Sequence, residues 1–376
     1  MGAAHRTAGA VLHRSAGTLG YHQPALFQPR RIGQPKPGRI GRPPFPPFSP
    51  FLSVPTNPDP VLLHVVHETS YRYTPAVENA HHVVHLKPAS RGGQTLLHYA
   101  LRIDPAPVQL RETVDVYGNS RSYFSLQAAH DRLTVVADSV VSTSTANPLQ
   151  SLLFASPGAR ADMPWEQVRD QFRYRAGAAY DSASEFLFAS PYVPLNEAFT
   201  EFARPSFMPG RPLPEAARDL MTRIHTTMTY ESESTEVSTP AVEALEQRKG
   251  VCQDFAHIMV ACCRAMGLPA RYVSGYLLTT PPPGQPRLIG SDASHAWASV
   301  YCPGVGQWLD FDPTNNRAPG EDYVTLATGR DFLDVSPMRG VIRGGAQHIL
   351  DVAVTVKPLT PDELRAIQGD AIHQAD

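Results

Sequence analysis

The chain has 376 residues, 42% of them hydrophobic, with a formal net charge of −2 and four cysteines. That length accommodates two domains and a tail, and the near-neutral charge gives no electrostatic case for nucleic acid or for an anionic membrane surface. No apolar run approaches the ~20 residues that a membrane helix needs, and Cys252, Cys262, Cys263 and Cys302 are too few and too clustered for a disulfide framework. A reducing, cytoplasmic setting is the expectation.

Residues 1–59 are rich in Pro and Arg, carry no acidic side chain before Asp59, and include the run Pro43-Pro44-Phe45-Pro46-Pro47-Phe48. Such a stretch buries too little apolar surface to offset its chain entropy and reads as a disordered extension. From residue 60 to about 145 the pattern becomes period two, which predicts an all-β domain. Leu62–Val66 and Ser70–Tyr73 read as strands, with a break at Pro75. His81–Leu86, Leu97–Ile103 and Arg132–Val141 follow, and Tyr117-Gly118-Asn119-Ser120 reads as a tight turn. His81, His82 and His85 invite a metal hypothesis. Neighbours on a strand point to opposite faces, however, and no Cys or carboxylate stands at ligand spacing, so no metal and no cofactor are expected.

Residues 146–212 are less periodic and read as a bridge with short helices at Pro164–Arg175 and Asn196–Ala203. The segment 213–330 carries the chemistry. Ala217, Leu220, Met221, Ile224 and Met228 set out an amphipathic helix, and a short helix after Thr239-Pro240 leads to Arg248-Lys249-Gly250. A second apolar helix then opens at Cys252 and runs to about Gly267, with Phe255, Ile258, Met259 and Cys262 on its core face. Cys252 therefore sits in the first turn, where unpaired N–H groups and the positive end of the macrodipole favour an anion such as a thiolate. A strand at Arg271–Leu277 and a Pro281–Gly284 loop follow. Asp292–Val300 then presents His295 near its beginning, and a strand over Gly306–Asp312 ends at Pro313. Sulfur, imidazole and carboxylate supply a nucleophile, a proton carrier and an orienting group. Asp310 and Asp312 both qualify for the third place.

Three segments resemble one family: Gly250-Val251-Cys252-Gln253-Asp254-Phe255-Ala256-His257, Ser294-His295-Ala296-Trp297, and Trp308-x-x-x-Asp312-Pro313-Thr314. They are similar to the bacterial transglutaminase-like cysteine enzymes. Tyr71-x-Tyr73-x-Pro75, Leu86-x-Pro88 and Asp115-x-x-Gly118-Asn119 resemble the β domain that precedes the core in that family. Gly329-Arg330-Asp331-Phe332-x-Asp334-Val335 resembles a segment after it. The resemblance spans roughly residues 61–357. It implies an α+β protein with a papain-like, transglutaminase-like core, in which a Cys-bearing helix packs on an antiparallel sheet behind the all-β domain. It also implies Cys252 as nucleophile, His295 as general base and acid, and Asp312, four residues after Trp308, as orienter. Residues 331–376 are expected to complete the core with strands and a short tail.

The expected activity is thioester-forming acyl transfer on a peptide or protein carboxamide, resolved by water because no acidic calcium-loop pattern is seen. Amine transfer that crosslinks proteins is the alternative. Two other classes compete: a non-catalytic binding module that kept the fold, and a metal site built from Cys252, His257 and His295. For the second oxyanion donor, Tyr230 and Gln253 are the candidates beside the Cys252 N–H. Cys262, Cys263 and Cys302 read as small buried hydrophobes.

Overall fold

The computed structural model describes residues 19–22, 60–144, 163–231, 235, 239–279 and 294–373. The N-terminal sheet begins with β1 (Leu19–His22), β2 (Val61–Val84) and β3 (Gln94–Asp104) and continues with β4 (Gln109–Val114), β5 (Ser120–Leu126) and β6 (His130–Thr143). Three helices follow: α1 (Trp165–Gln171), α2 (Glu197–Ala203) and α3 (Leu213–Thr227). Next come β7 (Thr229–Tyr230), α4 (Ala241–Gln247), β8 (Lys249–Gly250) and α5 (Cys252–Ala265). β9 (Ala270–Leu277), β10 (Ser294–Cys302), β11 (Gln307–Phe311) and β12 (Tyr323–Gly329) form the core sheet. The chain ends with α6 (Phe332–Val335), β13 (Met338–Gly344), β14 (Gln347–Leu359) and α7 (Pro361–His373).

β2 is the spine of the N-terminal domain. Its residues 61–74 alternate in burial, with Leu63, Val65, His67, Thr69, Tyr71 and Tyr73 inward. One edge pairs with β6 and then β5, and the other with β14 and then β13. The expected break at Pro75 does not end the strand. Pro75 falls between the two partners on each side, where the register shifts and no ladder N–H is required.

Residues 331–376 do not complete the core sheet as expected. β13 and β14 return to β2, some 280 positions earlier in the sequence, and α7 stands where a tail was read. The expected bridge at 146–212 is also corrected over its described part. Trp165, Val168, Phe199, Ala203 and Phe207 pack into one cluster with the α5 residues Phe255, Ile258 and Met259, so this segment belongs to the core. Of the N-terminal extension only Leu19–His22 is described, as a strand beside β13. The Pro281–Gly284 loop and the rest of 1–59 lie outside the described residues.

The core sheet is antiparallel in the order β11-β10-β9-β12. α5 lies on one face of it, and α3 packs on α5 through Leu220, Met221 and Ile224. Every residue of α5 from Cys252 to Arg264 is buried, not one face alone. Its large apolar side chains, Phe255, Ile258, Met259 and Val260, stabilise by roughly 1.5–3 kcal/mol each when fully buried. Arg264 is tolerated inside because its guanidinium donates to the carbonyls of Ala270, Phe188 and Arg330 near the helix C-terminus.

β12 has a core neighbour on one side only. On the other edge, side-chain amides of the N-terminal domain take the place of a fifth strand. Gln94 Nε2 donates to Thr325 O at 2.9 Å and its Oε1 accepts from Thr325 N at 2.8 Å. Asn119 Nδ2 donates to Thr328 O at 2.7 Å and its Oδ1 accepts from Thr328 N at 2.8 Å. Asp115 holds the Asn119 amide in place at 2.8 Å. This gives the Asp115-x-x-Gly118-Asn119 motif a physical meaning as a dock for β12. Asn119→Ala strips both bonds from buried backbone groups and lowers unfolding stability by roughly 2–4 kcal/mol. The midpoint and slope of urea unfolding measure the loss.

Candidate active site

The site assembles where the N-terminus of α5 meets the ends of β10 and β11. Gly250 precedes the helix because a Cβ there would stand 2.6 Å from Asp254 Oδ2. That oxygen accepts from the Val251 N–H at 2.8 Å and from Thr235 Oγ1 at 2.6 Å, so Asp254 caps the helix start. Cys252 is the first residue of α5, and its own N–H lies outside the helical ladder.

His295, the second residue of β10, donates from Nε2 to Asp312 Oδ2 at 2.7 Å. Cys252 lines the same cleft as this ring, and its negative charge adds to that of Asp312 in favouring a charged imidazole. Cys252 and His295 are each 8% exposed and Asp312 is fully buried. Asp312 stands just beyond β11 and is tightly held. Its Oδ1 accepts from the N–H groups of Thr314 and Asn315. Its Oδ2 also accepts from Asn315 Nδ2 and Tyr323 OH, each at 2.7 Å. The structure thus brings Cys252, His295 and Asp312 together. Asn315 and Tyr323 were not anticipated; Asn315 stands three residues after Asp312, while Tyr323 reaches it from the start of β12.

Burial opposes charge on His295, but hydrogen bonds and negative charge from Asp312 and Cys252 outweigh it and push the imidazole up to about 10. Burial likewise opposes charge on Asp312, and the bonds from His295, Tyr323 and Asn315 reverse it, holding the carboxyl below its usual range. Cys262 and Cys263 are pushed up by burial, Cys263 to about 12, which leaves them protonated at neutral pH. Tyr230 is pushed up to about 12 by burial and by its neighbour Cys252.

Other candidates resolve differently. Asp310 pairs across the ladder with Ser299 and stands near Arg271, while His295 turns to Asp312. His257 accepts at Nε2 from the Phe332 N–H and stacks on Tyr192, and burial drives it down to about 3. It is a neutral core histidine, committed away from Cys252. His81, exposed on β2, bonds to Tyr123 OH, and the buried His85, just past the end of β2, bonds to Ser336 O.

The cleft over Cys252 is narrow, with a cavity volume of about 40 Å³, and has two different walls. The core contributes Tyr272, Ser274 and His295. The N-terminal domain contributes Thr69 and Tyr71 of β2 with Leu350 and Val352 of β14. No carboxylate lines it among the described residues.

The sequence profile of the transglutaminase-like superfamily matches residues 200–313, and that of the bacterial transglutaminase-like N-terminal region matches residues 63–142. An uncharacterised protein of Mycobacterium tuberculosis is 43% identical over 313 residues, covering 82% of this chain and 94% of its own length. A shorter match, 39% identical over 75 residues, joins 20% of this chain to 11% of a protein-glutamine gamma-glutamyltransferase from Pseudomonas aeruginosa. The crystal structure of a cysteine protease candidate from Cytophaga hutchinsonii shares the fold, with a TM-score of 0.60 and 21% identity over 81% of this chain and 92% of that one.

A raised folded-state value on His295 stabilises the fold fully below the unfolded value near 6.5, and the gain is lost as pH rises toward about 10. The stability difference between the native chain and His295→Ala should therefore shrink from pH 6.5 to 10. Urea unfolding at half-unit pH steps reads that difference directly.

Proposed function

The chain belongs to the transglutaminase-like superfamily, and from that premise we propose that it is a thiol enzyme that cleaves carboxamide or peptide bonds through an acyl-enzyme on Cys252. The observation that carries the reading is the buried 2.7 Å bond from His295 to Asp312, with Cys252 and His295 lining one cleft.

In this mechanism Cys252 Sγ adds to the carbonyl carbon while His295 holds the proton. The N–H of Cys252 at the helix start and the Tyr230 hydroxyl are the donors proposed for the oxyanion. When the tetrahedral adduct collapses, the C–N bond breaks, and His295 passes its proton to the leaving amine. A thioester remains. Water then gives a proton to His295 and adds to the thioester. The C–S bond breaks, the acid departs, and the proton returns to sulfur. Asp312 stays ionised throughout, fixing the ring's orientation and offsetting its charge.

Water is favoured over an amine as the second nucleophile because the described cleft walls offer no carboxylate to seat a cationic amine. The partial likeness to a gamma-glutamyltransferase supports the amine-transfer alternative. Both readings take a peptide or protein substrate, whose apolar portion would lie against Tyr71, Leu350 and Val352.

Incubation of the chain with a mixture of glutamine-bearing peptides, with and without a primary amine, tests the reading by intact-mass spectrometry. The expected result is a transient acyl adduct on Cys252, lost in Cys252→Ala, and release of free acid even when amine is present. Amine conjugates in place of acid would shift the assignment to transfer. No adduct and no turnover on any peptide would leave the binding-module reading.

A further inference from the structure

A second and larger cavity, about 680 Å³, lies on the other side of the core sheet. Residues alternate along β9, so Tyr272 and Ser274 face the Cys252 cleft while Arg271 and Val273 face this cavity. The N-terminal domain closes it from the opposite side with the turn Arg91-Gly92-Gly93. Both glycines there have left-handed backbone, φ +62° and +89°, which lets the chain bend sharply and set Arg91 at the cavity wall.

The charged side chains lining this space are Arg91, Arg271 and Asp310, two cations against one carboxylate. Arg271 lies over the Trp308 ring, with its guanidinium carbon 4.2 Å from the ring centre. Among the described residues its buried Nε meets no hydrogen-bond acceptor. Arg91 donates to Asn119 Oδ1 at 3.3 Å. Among the described residues neither guanidinium has a carboxylate oxygen within 4.0 Å. Burial lowers both arginines, Arg271 to about 10; Asp310 partly compensates both, Asp115 also supports Arg91, and Arg91 adds its like charge against Arg271. Burial meanwhile raises Asp310, which weakens the compensation it offers. Two half-buried guanidinium groups facing one lining carboxylate leave this cavity with an excess of positive charge that a further anion would offset.

We propose that this cavity binds a small oxyanionic group, a carboxylate or a phosphate, between Arg271 and Arg91. Guanidinium forks suit the paired oxygens of such groups, and the aromatic plane of Trp308 holds one fork in fixed orientation. The site is separate from the sulfur chemistry but adjoins its support. Tyr323 lines this cavity and donates to Asp312 Oδ2 at 2.7 Å. Trp297 packs edge-on to Tyr323, with ring centres 5.4 Å apart, so two of the three tryptophans report on the site.

Isothermal titration of the full chain with inorganic phosphate and, separately, with succinate at fixed ionic strength tests this, with tryptophan fluorescence as the second readout. Saturable one-site binding of at least one probe is expected, weakened about tenfold or more in Arg271→Gln and Arg91→Gln. The exposed control Arg173→Gln should bind like the native chain. Saturation by phosphate alone points to phosphate esters as natural ligands, and by succinate alone to carboxylates. Arg91→Gln leaves the Arg271–Trp308 stack in place and decides the matter if Arg271→Gln does not fold. Failure of both probes to saturate by roughly 20 mM, or native-like binding in the folded arginine variants, overturns the proposal.

Discussion

A single hydrogen bond in the protein interior, from His295 Nε2 to Asp312 Oδ2, sets the terms for the structure around it. A buried carboxylate is expensive unless its lone pairs are filled. Here two backbone N–H groups, the Asn315 amide and the Tyr323 hydroxyl fill them together with His295. Tyr323 opens β12 and Asn315 belongs to the turn closed by the Asp312–Arg317 bridge. The charge of one carboxylate is therefore spread over three separate pieces of chain, and all must be in place for the imidazole to stand correctly beside Cys252.

That requirement explains the intimacy of the two domains. β12 is the edge of the core sheet, and its free side would be a row of unpaired backbone groups. Gln94 and Asn119, both from the N-terminal domain, satisfy it at Thr325 and Thr328. The same domain sends Leu63, Val65, Val354 and Val356 into the cluster that holds Cys252, Ala256 and Tyr272. The β domain is thus a structural half of the cleft and a support for β12, with Tyr323 as the link to Asp312.

Much of the core was legible because its chemistry falls on recognisable local patterns. Cys252 at a helix start, His295 at a strand start and Asp312 before Pro313 each announce themselves within a few residues. The alternation of β2 was equally plain. What local pattern does not reveal is partnership across the chain. Nothing in residues 338–359 says that they pair with β2 and not with the core sheet, since a strand's face can be read from period two but its neighbour cannot. Trp165, Val168 and Phe199 are too widely spaced to disclose that they pack on α5. Asn315 and Tyr323 look like ordinary loop and strand residues until Asp312 is seen between them. The choice of Asp312 over Asp310, which two positions on one strand left open, follows in the structure from geometry: Asp310 faces Ser299 and Arg271, and His295 reaches past it.

The proposed chemistry requires Cys252 to be a nucleophile made reactive by His295. The most direct measurement is the iodoacetamide alkylation rate of each cysteine against pH, resolved by peptide mass spectrometry, in the native chain and in His295→Ala. Cys252 should react far ahead of the fully buried Cys262, Cys263 and Cys302, and His295→Ala should slow it most in the acid half of the profile. A Cys252 no faster than Cys262, or one indifferent to loss of His295, would contradict the account.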